Sequence, residues 1–413
     1  MMMAEAPTDH GAALEAVRLL RSTTAVRERA QQLLARARAG ASACFEVVDA
    51  QLVVAAAEVA TLTRERYPDG RIPYHSRWRH FEAGGVDRLA LLDARLGPVD
   101  AATRARALID LVVISVLLDA GAGPVWQYRE ASGQTLARSE GVGVAGIDAV
   151  LKGALSSGPA RPLQANAAGL MALSAQDLGR AFQVSDKNPL VGLESRAALL
   201  RRLGEVLAAS PTRWGMAGRP GGMFDVLRAP DLAAHDILVL LLDGLSGIWP
   251  ARHELAGEPL GDCWPHAAVR GEGLSAGWMP FHKLSQWLTY SLLEPFEWAG
   301  VHVTGLDALT GLPEYRNGGL LLDTGVLRPR VPDWNRRRWQ AGDDFIVEWR
   351  ALTVALLDEL APLVRAELGL SAAQMPLACV LEGGTWAAGR AVALRQRPGG
   401  LPPLNIESDG TVF

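Results

Sequence analysis

Residues 278–327 read WMPFHKLSQWLTYSLLEPFEWAGVHVTGLDALTGLPEYRNGGLLLDTGVL, and the spacing of their apolar side chains decides the fold class. In the first half Leu284, Trp287, Leu288, Ser291 and Leu292 recur at helical intervals, which predicts a helix with one buried face. His282, Lys283, Gln286 and Tyr290 then need a different environment. The second half is a short connector, LPEYRNGG, followed by an apolar run ending at Leu327. Pro313 fixes the approach to the connector and Gly318 and Gly319 free its exit, so that Glu314, Tyr315, Arg316 and Asn317 are presented between them.

The same period extends outward in both directions. Residues 11–39 predict an amphipathic helix pair or one long helix, and 43–66 a more apolar helix stopped at Pro68. Residues 99–119 predict a core helix ending in glycines. A loop carrying Tyr128 and Glu130 precedes a helix around Ser139, Glu140 and Gly141, and 158–162 is a connector. Ser174 and Asp177 form an N-cap pair, and Asn188–Gly192 turns into another amphipathic helix. A buried helix follows at 230–250, a long one from Asp344 to Leu368, and a last one carrying Glu382 and Arg390. The basic, Trp-bearing run at 328–344 reads as a surface loop. Strand-like alternation is almost absent. The expectation is a mainly α, multi-helical single globular unit over 1–413, with an N-terminal helical part (1–165) and a second part (166–413) that carries the site.

The 413 residues, 49% hydrophobic and 21% charged, can bury a large core. A net charge of −4 argues against a nucleic-acid partner but leaves room for a local phosphate site. Three cysteines without paired spacing, no export signal and no apolar run of membrane-spanning length give a cytoplasmic expectation, with no membrane contact. The P-loop, dinucleotide-binding, nucleophile-elbow and zincin signatures are all missing.

Two further stretches carry chemistry. Tyr74–Phe81 crowds His75, Arg77, Trp78, Arg79 and His80 into one short segment; it could cradle a phosphate or carboxylate under an aromatic ring, or form an Arg/His network against acidic neighbours. No Cys, Glu or Asp nearby completes a metal spacing, so no metal is expected there. Asp119 ends an apolar helix, where the helix dipole disfavours a carboxylate, so a donor partner is required. In the connector, Glu314 beside Arg316 can be an ionised carboxylate facing a cleft, with Asp323 a turn or two later, or simply a helix cap with a solvated ion pair. Asp262, Trp264 and His266 precede the helix closely enough to form one wall of a site.

Taken together, IPYHSRWRHFEAGGVDR, LLDAGAGPVWQY, NPLVGLESRAALLRRLG, LTGLPEYRNGGLLLDTGVL and LEGGTWAAGR resemble the uracil-catabolism family encoded beside a GTP-cyclohydrolase-II-like enzyme in the reductase-independent degradation route. The resemblance covers nearly the whole chain. It implies a place where the opened pyrimidine ring has left a ribosylurea, or its 5′-phosphate, from which urea is released. Other enzymes of that route are the partners it implies.

A more distant similarity joins PFHKLSQWL and LTGLPEYRNGGLLLDTGVL to the queuosine-salvage nucleotide N-glycosylases, which are all-helical and related to helix-hairpin-helix DNA glycosylases. It implies a glycosylase-like core. By that likeness Lys283 matches the helix lysine associated with the nucleotide phosphate and Gln286 the helix glutamine. Glu314 takes the place of the catalytic aspartate, with Tyr315 and Arg316 as the Tyr-Arg that follow. Glu for Asp, and Asn-Gly-Gly for Val-Pro-Gln, are the departures.

The expected activity is hydrolysis of a ribose C–N bond without a cofactor. Glu314 would face the developing cation, and Asp262, Asp323 or His282 would supply a proton. Lys283 with Arg77 or Arg79 would hold a 5′-phosphate. Tyr315, Arg316, Gln286, His75, Trp78 and Glu382 complete the expected binding set. The rival expectation is a non-catalytic binding or scaffold subunit for a ring-opened intermediate.

Overall fold

The apolar period at 344–368 becomes one helix, Asp344–Leu368, buried from Phe345 to Leu357 and closed by Gly369 in the left-handed region. It is the axis of the molecule. In the computed structural model, which describes residues 10–158, 163–249 and 253–407, helices Thr23–Arg38 and Leu52–Arg66 pack against this axis, as does Asn317–Asp323. Gly318 permits the last approach: a Cβ there would stand 2.4 Å from the Trp349 ring. A second layer is made by Lys283–Trp298, which lies against Ala101–Leu117 and Ala234–Leu245. One main core runs from Val26 to Leu404, and the fold is mainly α. None of the described helices is long and apolar enough to cross a membrane.

Strands among the described residues are two or three residues long and form six two-stranded ribbons. They act as clips between distant segments. Phe45–Val47 pairs antiparallel with Leu327–Pro329, tying the N-terminal helices to the end of the connector region. Cys263–Pro265 pairs antiparallel with Trp278–Pro280 and so brings Asp262 to the start of Lys283–Trp298.

Several expected elements differ in detail. Residues 11–39 are a pair, His10–Leu20 and Thr23–Arg38, because the Ser22 side chain caps the second helix by accepting from the Ala25 N–H. The helix expected over 43–66 starts only at Leu52, since the preceding residues are drawn into the ribbon with Leu327–Pro329. The loop with Tyr128 and Glu130 is a hairpin, Gln127–Arg129 with Thr135–Ala137. The capping box at Ser174 and Asp177 is present. Within the exposed basic run, Trp339 is buried and stacks on Phe345 at 4.4 Å. The N-terminal segment read for export signals lies, over residues 1–9, outside the described residues, as do 159–162 of the connector and 408–413 of the chain end.

Candidate functional site

The connector is built as a braced turn. Gln286, fully buried on the Lys283 helix, donates from Nε2 to Thr310 Oγ1 at 2.7 Å and accepts the Thr310 N–H at 2.8 Å. Asn317 Nδ2 donates to the Leu312 carbonyl at 3.0 Å, and Arg350 Nε to that of Pro313 at 3.3 Å. These four bonds hold the backbone on which Glu314 stands. Its carboxylate accepts the Arg316 N–H at 2.8 Å and the Asn317 N–H at 2.6 Å, capping the helix Asn317–Asp323.

Glu314 is therefore a cap, but a buried one rather than a solvated ion pair. Burial raises its pKa above the ordinary value, against the two backbone donors and the charges of Lys283 and His75. The expected neighbour, Arg316, does not neutralise it. Its guanidinium turns away, donating to the Gly400 carbonyl at 2.9 Å and lying 5.2 Å from the centre of the Tyr315 ring.

Lys283 begins its helix with its backbone N–H bonded to Asp262 Oδ2 at 3.0 Å. Its amine is not ion-paired among the described residues; burial lowers its pKa, with Glu314 and Asp119 the opposing charges that act on it most. Asp119 does have the donors its position requires. Arg77 Nη1 lies 3.1 Å away and the Ser139 hydroxyl donates at 2.6 Å. Burial pushes this carboxyl up, and Arg77, His80 and Ser139 more than reverse the effect, so it is held below its usual range. Around the same place, the Arg77 guanidinium stands 5.7 Å from the Trp287 ring centre, and the His80 and Trp287 rings meet edge-on at 6.0 Å. Gly143 makes room for them, since a Cβ there would lie 3.3 Å from Arg77 Nη2.

His75 closes the other side. Its Nδ1 is 2.9 Å from Glu382 Oε2, while Glu382 Oε1 accepts from Arg66 Nη2 at 2.7 Å and Tyr67 OH at 3.0 Å. Burial would raise Glu382, but His75 and Arg66 hold it below the ordinary value. Glu382 lies in a π-helical turn, Leu381–Thr385, an irregularity that recurs at functional sites. Arg77 Nη2, His80 Nδ1, Trp287 Nε1, Arg316 Nε and Asn317 Oδ1 are buried without a hydrogen-bond partner. Such groups are costly unless something satisfies them.

The structure thus brings Lys283, Glu314, Tyr315 and His75 into one electrostatic neighbourhood, with Asp119, His80, Ser139 and Trp287 beside them. The remaining expected residues are engaged elsewhere. Asp262 accepts from both terminal nitrogens of the fully buried Arg350 at 2.8 and 2.7 Å and from Trp264 Nε1 at 2.8 Å; burial raises its pKa, but Arg350 pulls it to about 2. Asp323 sits at the far end of its helix, in a two-pronged pair with Arg397 at 2.7 and 2.5 Å. His282, in a left-handed conformation, bonds from Nε2 to the Leu20 carbonyl at 2.8 Å, and burial lowers its pKa. Arg77 is committed to Asp119, Ser115 and Ser139, Arg79 to Glu82 and Glu294, and Trp78 to the Ser291 carbonyl within the core. Gln286 braces the turn. Among the described residues no three His, Cys, Asp or Glu side chains are grouped to hold a metal ion.

A surface cleft of about 630 Å³ is lined by Tyr74, Glu294, Glu297, Trp298 and Asp307 among others. It offers carboxylates and rings without an unpaired cation, whereas the Glu314 neighbourhood joins a carboxylate, an amine and an imidazole. The roles of Arg350 and Asp119 were partly visible in sequence. Arg350 is one turn from Ile346 and Val354 on the core-facing side of an apolar helix, a position at which a cation requires a buried carboxylate. His80, Ser139 and Trp287 have no such signal, because their meeting depends on three separate segments.

A family model described as "Protein of unknown function (DUF1688)" matches residues 19–413. The chain is 38% identical over 408 residues to Protein urg3 of Schizosaccharomyces pombe, an alignment covering 97% of this chain and 99% of that protein. It is 40% identical over 381 residues to Uracil catabolism protein 4 of Lachancea kluyveri, covering 83% and 85% of the two chains.

Proposed function

The chain belongs to the DUF1688 family, and from that premise we propose that it is a hydrolase of uracil catabolism that cleaves the ribose C–N bond of ribosylurea or its 5′-phosphate and releases urea. The relative named for uracil catabolism supports the pathway. The observation that carries the reaction is the Glu314 carboxylate, anchored by two backbone N–H groups on a braced turn, with the Lys283 amine, not ion-paired among the described residues, and the His75 ring as its neighbours. The glycosylase-like core implied by resemblance belongs to the same proposal.

Breaking the C–N bond builds positive charge on the anomeric carbon. A carboxylate that cannot swing away is already placed to stabilise that charge and to orient the attacking water. Lys283, whose helix start is fixed by Asp262, offers a cation for a phosphate or hydroxyl remote from the bond broken, and this positions the sugar. Asp262 and Arg350 serve the reaction by holding the backbone of both Lys283 and Pro313.

The test is kinetic. Glu314→Gln keeps the shape of the side chain, and its far-ultraviolet circular dichroism should match the wild type while kcat for urea release falls about 10²–10⁴-fold with KM little changed. Lys283→Ala should instead raise KM, more for the phosphorylated substrate than for the free one. A folded Glu314→Gln protein with full activity would remove Glu314 from the reaction.

A further inference from the structure

Urea leaves poorly as an anion, so the reading above needs a proton donor on the leaving nitrogen, and the inference here rests on that reading. We propose that His75 is this donor, presenting Nε2 to the substrate, and that Glu382 is the positioning residue that orients it.

The arrangement around His75 is built to aim a ring. Nδ1 faces Glu382 Oε2 at 2.9 Å, so Nε2 points away from Glu382, and it has no partner among the described residues. The His75 side chain retains 11% exposure, which leaves its ring within reach of a small molecule. Its backbone N–H is pinned to the Ala378 carbonyl at 2.9 Å, which fixes the ring's origin.

Glu382 is itself immobilised. Its second oxygen is taken by Arg66 and Tyr67, and Arg66 also bonds its backbone carbonyl. The π-helical turn presses against Leu52–Arg66, where a Cβ on Gly384 would lie 2.6 Å from the Val59 carbonyl oxygen. A carboxylate so held selects the Nδ1–H tautomer of the neutral ring and gives the imidazolium a counter-charge, leaving Nε2 as the working nitrogen. The other titratable groups near His75 are Glu314 and His80, and burial together with the Arg77 charge lowers the His80 pKa to about 3.

The step balances. The imidazolium gives its Nε2 proton to the urea nitrogen as the C–N electron pair departs with that nitrogen. Water adds to the anomeric carbon, its proton passes to the Glu314 carboxylate, and exchange with solvent restores both groups. The products are urea and the free sugar or sugar phosphate.

A leaving group that needs no proton separates this role from a structural one. His75→Asn keeps a donor near the Nδ1 position for Glu382 and removes Nε2. It should lower kcat for ribosylurea about 10²–10⁴-fold while hydrolysing 4-nitrophenyl riboside at the wild-type rate. Glu314→Gln should lose both substrates, and Glu382→Gln should weaken ribosylurea turnover and displace its alkaline limb. Equal losses of His75→Asn on both substrates, or none on ribosylurea, would overturn the assignment. A wild-type protein that cleaves neither glycoside ends the glycosidase reading and the donor role together. Selective ¹⁵N labelling of histidine tests the orientation independently: the His75 ring should show the Nδ1–H tautomer, lost in Glu382→Gln, and an Nε2–H tautomer would contradict it.

Discussion

Asp262 joins two segments that flank Glu314 through one carboxylate. It accepts two bonds from Arg350, one from Trp264 and one from the Lys283 backbone, and Arg350 in turn reaches the Pro313 carbonyl beside Glu314. Asp262→Asn would leave a fully buried guanidinium without its counter-charge, at a cost of about 3 kcal/mol in stability by chemical denaturation. The folded carboxyl titrates at about 2 against an ordinary 3.8. The pair's stabilisation is therefore complete above the unfolded value and lost as pH falls toward about 2, so the gap between wild type and variant should narrow below pH about 4.

Glu294 behaves in the opposite sense. Burial outweighs its ion pair with Arg79 and raises it from 4.5 to about 7. The native state then holds a proton that the unfolded chain releases, and stability from this group declines as pH rises between those values. Glu294→Gln should gain a few degrees of Tm over wild type at pH 8 and nothing at pH 4. An advantage independent of pH would show that the carboxyl is not the cause.

At the scale of elements, the site depends on how closely two helices can approach the connector. Gly389, on the helix Trp386–Gln396, lies against the Arg316 carbonyl so tightly that a Cβ would sit 2.1 Å from its oxygen. Gly389→Ala must push the turn that carries Glu314, and we expect it to lower both Tm and urea release. Ala387→Ser, on the same helix but less buried, should leave both near wild type. An active Gly389→Ala protein would mean that the position of Glu314 does not depend on this contact.

Much of this level was legible beforehand. Helical spacing gave Asp344–Leu368 to the residue, the Ser174 cap and the turn into Leu193–Ala209, because those signals are local. The strand Phe45–Val47 was not legible, since its partner lies nearly 300 residues away. The same physics divides the site residues. The turn 313–319 announces itself through Pro and Gly, whereas the direction of the Arg316 guanidinium is decided by the Gly400 carbonyl from the far end of the chain. Asp323 and Asp262 have the right chemistry in sequence, and only Arg397, just past the end of the helix Trp386–Gln396, and Arg350, on the axial helix, show how fully they are engaged.

For the molecule as a whole, one main core joins the helix Thr23–Arg38 to Leu404, and long-range pairs such as Arg27 with Asp358 and Arg38 with Glu359 tie that helix to the axial helix. Thermal unfolding followed by circular dichroism and by tryptophan fluorescence should give one coincident transition. Two separated transitions would instead divide the chain, as a boundary near residue 165 would require.

We propose that Glu314 acts in breaking a ribose–urea bond. The most direct measurement is to incubate the purified protein with ¹³C-urea-labelled ribosylurea and, separately, with its 5′-phosphate, and to follow the labelled carbon by NMR. Free urea should appear with one or both compounds at a rate proportional to wild-type protein and be absent with Glu314→Gln. Labelled substrate that binds, by line broadening, yet remains intact with wild-type protein would contradict it.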